Sequence, residues 1–401
     1  MNKRIVMTGV GAVSPLGHSV QAIRNGLGKK PKPAGGTSEL LKNGRELWSI
    51  KDLEDSSFLS GRLKRKLDKF CVQGLVAAGT ALKQSHLLEG EFDPLRVGIF
   101  VGNCLGGWGY TEPELKALHT RGIASMGPYV ATAWFPAALQ GQLSLVHGLK
   151  GYSKTFSARD IAGLQAVGYA MEAINHGRAD AILCGASEDL SSPYLRAVLA
   201  QYQHANRLTC SVFGQEIQQP FSEGAAFMVL EDYDHAVRRN APILCEMSGF
   251  SDQFCPSPLD VPGALRHSLQ ESLGPSTEES LLILDGMFSN EATIVENLAE
   301  VFPGTLTLVS GRSSLGNLFS VGGVMELVLA ARALQSGTLS PAAVGGKTLG
   351  KITGFSTASV QRLSIQGNIT SVGLSRVVST TPSYASDSVS LLKPDWLQLQ
   401  P

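Results

Sequence analysis

Only eight histidines occur in this chain of 401 residues, and none follows His267. That absence excludes any chemistry that needs an imidazole from the last third of the chain, including the late histidine of a serine hydrolase. Six cysteines (Cys71, Cys104, Cys184, Cys210, Cys245 and Cys255) are scattered without a C-x-x-C pair, which argues against a disulfide framework or a zinc site and for reduced thiols. No metal site and no cofactor are expected. No apolar run reaches the roughly 18 residues of a membrane span, so the chain reads as cytoplasmic and unanchored. Net charge is also missing: Lys plus Arg equals Asp plus Glu at 34 each, so no overall field favours nucleic acid or an anionic membrane.

With 43% hydrophobic and 17% charged residues, the chain can bury one large core or two fused cores. Short, nearly continuous apolar runs alternate with helical patterns: RIVMTGVG from Arg4, RVGIFVGN from Arg96, ADAILCGA from Ala179, AFMVLED from Ala226, LLILDGM from Leu281 and TLTLVSG from Thr305. Strands of this kind are buried on both faces and predict α/β layering. One helical stripe carries Leu164, Val167, Gly168, Met171 and Ile174; another carries Val324, Leu327, Val328, Ala331 and Leu334. The stretches 27–57, 105–127 and 201–219 read as irregular. Two halves of similar strand-helix order meet near Glu246, which divides the chain into residues 1–245 and 246–401.

Three short motifs point to other chemistries and fail on spacing. GVGAVS (Gly9 to Ser14) has serine where a dinucleotide loop needs its third glycine, and GGKT (Gly345 to Thr348) has Pro341 where a phosphate-binding loop needs its first. GASED (Gly185 to Asp189) has Asp189 where a nucleophile elbow needs glycine.

Six longer segments carry more information because they occur in a fixed order. These are RIVMTGVGAVSPLG, RVGIFVGNCLGG, GLKGYSKTFSARDIAG, HGRADAILCGASED, PFSEGAAFMVLEDYDHAVRR and, after LILDGMFS, SGRSSLGNLFSVGGVMELVLAARAL. Over nearly the whole chain they resemble the β-ketoacyl-acyl carrier protein synthases of the thiolase fold. The resemblance implies an α/β, thiolase-like fold of two similar halves in a five-layered α-β-α-β-α arrangement.

Active members of that family use a cysteine at the head of a buried helix as the acyl-carrying nucleophile. Two histidines stabilise the charge that develops when malonyl thioester loses carbon dioxide. The resemblance places Asp160 at the nucleophile position, Asp285 at the first histidine, Arg312 at a lysine and Asn317 at the second histidine. Asp160 also reads as a simple helix N-cap. A second carboxylate at Asp285 would face the developing enolate; at about 4 Å and an effective dielectric of about 20 the repulsion is roughly 4 kcal/mol, or about a thousandfold in rate. Arg312 is expected to pair with Asp285 or Asp160. The family's glycine-rich gating loop is replaced by Thr380, Thr381, Pro382, Ser383 and Tyr384, which leaves no hinge for a moving gate.

A family framework without its chemistry resembles the chain-length factors, non-catalytic copies that pair with an active ketosynthase and shape its acyl tunnel. The resemblance implies a heterodimer or higher assembly in type II fatty-acid, polyketide or aryl polyene biosynthesis, with acyl carrier protein reached through the complex. The best-known chain-length factors carry glutamine where this chain has Asp160. Leu105, Trp108, Tyr129, Val130 and Trp134 match the family's pocket floor and interface, although large apolar residues at strand ends are more often core. Arg62, Lys64, Arg65 and Lys66 are candidates for touching an acidic carrier, a solvated helix face being the simpler reading. Two alternatives stay open: an active β-ketoacyl-acyl carrier protein synthase with unrecognised catalytic residues, and a stand-alone acyl-binding protein.

Overall fold

Ten strands hydrogen-bond into one sheet whose two halves repeat the same pattern. The computed structural model describes residues 3–27, 36–42, 44–51, 53, 59, 61–201, 210–212, 215–217, 220–257, 260–274, 279–284, 306–309, 312–339, 352–364 and 367–377. The strands of the first half are β1 (Ile5–Val13), β2 (Val97–Gly102), β3 (Lys154–Phe156), β4 (Ala181–Glu188) and β5 (Gly224–Asp232). Those of the second are β6 (Cys245–Phe254), β7 (Ser280–Ile283), β8 (Leu306–Val309), β9 (Thr357–Leu363) and β10 (Asn368–Ser375). Their order is β8-β7-β9-β10-β6-β1-β5-β4-β2-β3.

Polarity repeats as well as order. The outer three strands of each half run parallel, the next two antiparallel, and β1 meets β6 at the centre. Even the irregularities match: β1 shifts register between Met7 and Gly9, and β6 between Met247 and Gly249. Each glycine lets an outer helix lie against the sheet. A Cβ at Gly9 would come 2.2 Å from the Ala81 carbonyl oxygen, and one at Gly249 2.1 Å from that of Glu271. GVGAVS is thus strand and packing surface, not a nucleotide loop.

The helices used below are α1 (Val20–Gly26), α2 (Lys69–Ser85), α3 (Trp108–Arg121), α4 (Ala138–His147), α5 (Ala162–Asn175), α6 (Pro193–Gln201), α7 (Val261–Leu273) and α8 (Val321–Ser336). Helix α2 covers β1 and β5 from outside, and α7 covers β6 and β10. Between the halves lie α5, which touches β4 and β10, and α8, which touches β5 and β9. The expected five layers α-β-α-β-α are therefore present. Helix α8 is buried almost all round, from Val321 to Ala331, as a helix between the two halves of the sheet must be. The apolar stripes expected on α5 and α8 are all buried.

The stretch 105–127 departs from the irregular reading, because it holds the 14-residue α3. Its signal is weak for a physical reason: Pro113 interrupts it and only Thr111 and Ala117 are buried, so it has no apolar stripe.

Candidate functional site

Three segments meet at the heads of the two central helices: 103–107 after β2, 157–161 before α5, and 316–320 before α8. Missing side chains permit the approach. A Cβ at Gly102 would lie 2.5 Å from the Gly163 nitrogen, and one at Gly163 would lie 2.1 Å from the Ser320 carbonyl oxygen. Two non-glycine residues here hold left-handed backbone, Arg159 (φ 55°) and Phe319 (φ 50°), at a cost of about 1–2 kcal/mol each. Such outliers cluster where surrounding structure over-determines a site.

Asp160 sits in the short 3₁₀ turn Arg159–Ile161 that feeds α5. It is not the helix cap: that position is Ile161, which makes no side-chain capping bond. The half-buried Asn317 bridges to Phe221, its carbonyl accepting from Ser222 N (2.9 Å). Its carboxamide oxygen accepts from Phe319 N at 3.1 Å, so this side chain is used to shape its own turn.

The centre of the site is a residue that the sequence reading passed over. Glu188, at the end of β4 and fully buried, accepts from Cys104 N (2.6 Å), Leu105 N (3.0 Å) and Asn103 Nδ2 (3.3 Å). The Ser320 hydroxyl donates to it from the head of α8. Burial pushes its carboxyl up to about 7, against these donors, and the Asp160 charge adds to the rise. Asn103 completes the loop by donating to Ser187 O (2.8 Å) and accepting from Gly106 N (2.8 Å). The available signal was a glutamate closing an otherwise apolar strand in ADAILCGASE. Ser187 of GASED is no nucleophile, since its buried hydroxyl donates to Phe70 O at 2.7 Å.

Cys104, distant from α5 in sequence, is brought within electrostatic reach of Asp160. Burial, then Glu188 and Asp160, push its thiol well above the ordinary range, so the reactive thiolate is suppressed.

Leu105 is half-buried and, like Phe319, packs against a cluster that includes Leu47, Leu190 and Phe221. Trp108 opens α3 and packs its ring on Tyr194 of α6, with centroids 4.5 Å apart. Tyr129, Val130 and Trp134 lie in the segment 129–134, in which the carbonyls of Ala133 and Trp134 rest on Gly107 and Gly106. Tyr129 is 45% exposed and Trp134 51%, so neither is a core residue. Lys66 Nζ donates to the Tyr129 hydroxyl at 3.2 Å. Asp285, the side chain of Arg312 and residues 380–384 lie outside the described residues, and with them the expected Arg312 ion pair; so do GGKT and the side chain of Arg62.

A second group of acids lies behind α3. Asp68 caps α2 through Phe70 N (3.0 Å) and also accepts from Tyr110 N (2.7 Å); burial and the neighbouring Asp189 push it up to about 7. Burial also raises Glu223, which is paired with Lys69 and accepts from Ile50 N (2.5 Å) and Leu190 N (3.1 Å).

Comparison with known proteins agrees with this architecture. Residues 2–236 match the family described as "Beta-ketoacyl synthase, N-terminal domain". The 3-oxoacyl-[acyl-carrier-protein] synthase 2 of Vibrio cholerae is 26% identical over 372 residues, covering 84% of this chain and 88% of that protein. Among solved structures, AntDE:AntF (apo), titled a type II PKS acyl-carrier protein in complex with its ketosynthase bound to the hexaketide, superposes with a TM-score of 0.80. It is 40% identical and covers 94% of this chain and 100% of its own. The ishigamide ketosynthase/chain length factor, at 18% identity, shares the fold with a TM-score of 0.79, covering 94% of this chain and 100% of its own. The chain belongs to the β-ketoacyl synthase family.

Proposed function

We propose that this protein is a non-catalytic subunit of chain-length-factor type, which pairs with an active β-ketoacyl-acyl carrier protein synthase and shapes its acyl tunnel. The observation that carries the reading is Asp160 at the head of α5, where the family resemblance puts the nucleophilic cysteine. Asn317 at the head of α8 supports it, as does the end of the histidines at His267. An aspartate in place of the thiol would form an acyl anhydride, too labile to hold a chain between cycles. Asp285 and Arg312 belong to the same reading, as degenerate positions of that site, and so does the division into halves at residues 245 and 246.

Subunit pairing draws support from the surface beside the site. Ile123, Tyr129, Trp134, Phe135 and Leu145 are large and exposed, and Trp134 and Phe135 meet edge to face with centroids 5.8 Å apart. Here β3 is an edge strand, tied to α4 by the Thr155 hydroxyl donating to Gln140 Oε1 (2.7 Å). An unpaired edge flanked by exposed aromatics is the kind of surface that another chain covers. Leu105 and Trp108 are proposed as tunnel-end residues, and Tyr129, Val130 and Trp134 as interface. The type II PKS assembly that is 40% identical favours a polyketide pathway over an aryl polyene one, with acyl carrier protein as a partner reached through the complex and with no cofactor.

The test is reconstitution. The purified chain, given acyl- and malonyl-loaded carrier protein, is expected to form no covalent adduct by mass spectrometry and no elongated product. Co-produced with its ketosynthase, it is expected to co-purify, and Leu105→Ala or Trp108→Ala should lengthen the product. Elongation by the chain alone would overturn the reading.

A further inference from the structure

Far from this site, at the other end of α8, two arginines converge with no counter-charge among the described residues. A cavity of about 380 Å³ lies between α1 and the last turns of α8, lined by Val20, Gln21, Arg24, Arg332, Gln335 and Ser336. That volume falls within the range of small-ligand clefts, about 300–1,000 Å³. Among the described residues neither guanidinium meets a carboxylate. Arg24 Nη2 donates to Ser336 Oγ (3.4 Å) and Arg332 Nη1 to Gln335 Oε1 (2.9 Å), both neutral acceptors on α8 itself.

Arg24 alone needs no explanation, since a cation in the last turn of α1 complements the helix dipole. Arg332 has no such account: it lies short of the last turn of α8, which contains no basic residue. It is partly buried, and burial followed by the charge of Arg24 makes its own charge harder to hold. Two like charges facing one cavity, one of them partly desolvated, repel each other unless an anion sits between them. The cavity supplies what an oxyanion needs besides charge: two planar forks for bidentate hydrogen bonds and the Gln335 amide nitrogen; the Ser336 hydroxyl already donates to Thr338 O (3.0 Å) and Gln21 Nε2 to Asn25 Oδ1 (2.9 Å).

We propose that the cavity between α1 and α8 is an anion site that takes a phosphate group through Arg24 and Arg332. The phosphate arrives either free or as a monoester on a small carrier. The site is separate from the heads of α5 and α8, and nothing in the proposed tunnel function depends on it.

The experiment uses the full-length chain in the assembly in which it purifies, titrated with inorganic phosphate and, separately, with glycerol 3-phosphate. Binding is read by calorimetry and by melting temperature, with chloride holding ionic strength constant. Saturable binding of one equivalent per chain is expected, and whichever probe binds tighter tells whether the group comes free or carried. Arg332→Gln should weaken binding about tenfold or more, the loss of one charge-assisted pair, and Arg24→Gln independently the same. In phosphate-free buffer Arg332→Gln should not melt below the parent, because it removes a repulsion, whereas a purely structural arginine at that position would lower the melting temperature; Arg24→Gln is read by binding alone, since Arg24 also complements the α1 dipole. Absence of saturable binding to the parent, or unchanged binding by both variants, would overturn the proposal.

Discussion

Helices α2 and α7 occupy equivalent places, one outside each half of the sheet, and are attached by different chemistry. Helix α2 buries Phe70, Cys71, Val72, Leu75, Ala77, Ala78, Ala81 and Leu82, a mainly apolar face of graded sizes against β1 and β5 in which Gln73 and Ser85 are the buried polar side chains. Helix α7 buries Leu265, Leu269 and Leu273, and between them Ser268 and Ser272. The Ser268 hydroxyl bonds that of Ser371, and Ser272 bonds Ser359 at 2.8 Å. Both halves use a glycine opposite a helix carbonyl to bring the layers close. What differs is whether area or hydrogen bonding holds the remainder. Burial of apolar area is tolerant of small shifts, whereas paired hydroxyls fix register and leave an unsatisfied group if one partner is lost.

The feature the halves share gives the largest expected effect. Gly9→Ala and Gly249→Ala each force a Cβ against a backbone oxygen that cannot rotate away, so each should cost about 3 kcal/mol. Denaturant unfolding of the two variants checks this; a substantial loss in one half with none in the other would break the equivalence. Next comes the feature they do not share. Ser272→Ala and Ser359→Ala should each cost about 1 kcal/mol, and the double variant less than the sum, with a coupling of at least about 0.5 kcal/mol. Strict additivity would mean that the hydroxyls do not act as a pair.

The smallest effect concerns pH and sharpens the comparison at the level of charge, since the raised carboxyls Asp68, Glu188 and Glu223 all belong to the first half. Burial raises Glu188 from 4.5 to about 7, so the folded state holds a proton that the unfolded chain releases earlier. Its contribution is complete below about pH 4.5 and is lost as pH rises through about 7. Unfolding between pH 5 and 8 should therefore show parent stability falling with pH, and Glu188→Gln falling less steeply. Parallel profiles would show that Glu188 is not among the groups responsible.

The same contrast explains what could be read from sequence. Strands β1, β2, β4, β5 and β7 were legible because both faces are buried in apolar layers, which leaves nearly continuous Val, Ile, Leu and Ala; β8 was legible from its apolar run alone. Strands β6, β9 and β10 were not. CEMSGFSDQF, TASVQRL and NITSVGLS place Ser, Thr, Gln and Asp toward serines and acids of neighbouring elements, as where Thr370 donates to Asp252 (2.7 Å). Polar residues satisfied across layers look the same in sequence as polar residues in loops. At the site, Asp160 and Asn317 were found through the resemblance, on segments the fold brings together. Glu188 and Ser320 were missed because their importance lies in bonds to residues 84 and 132 positions away.

Glu188 grips the backbone of Cys104 and Leu105 on one side and Ser320 on the other, through a single carboxyl group. The loop bearing Leu105 cannot swing without releasing both of its amide bonds to Glu188 together. In the tunnel role proposed for Leu105, this anchoring would make the side chain a stationary end-stop, gauging extent by where the stop stands and not by the timing of a moving part.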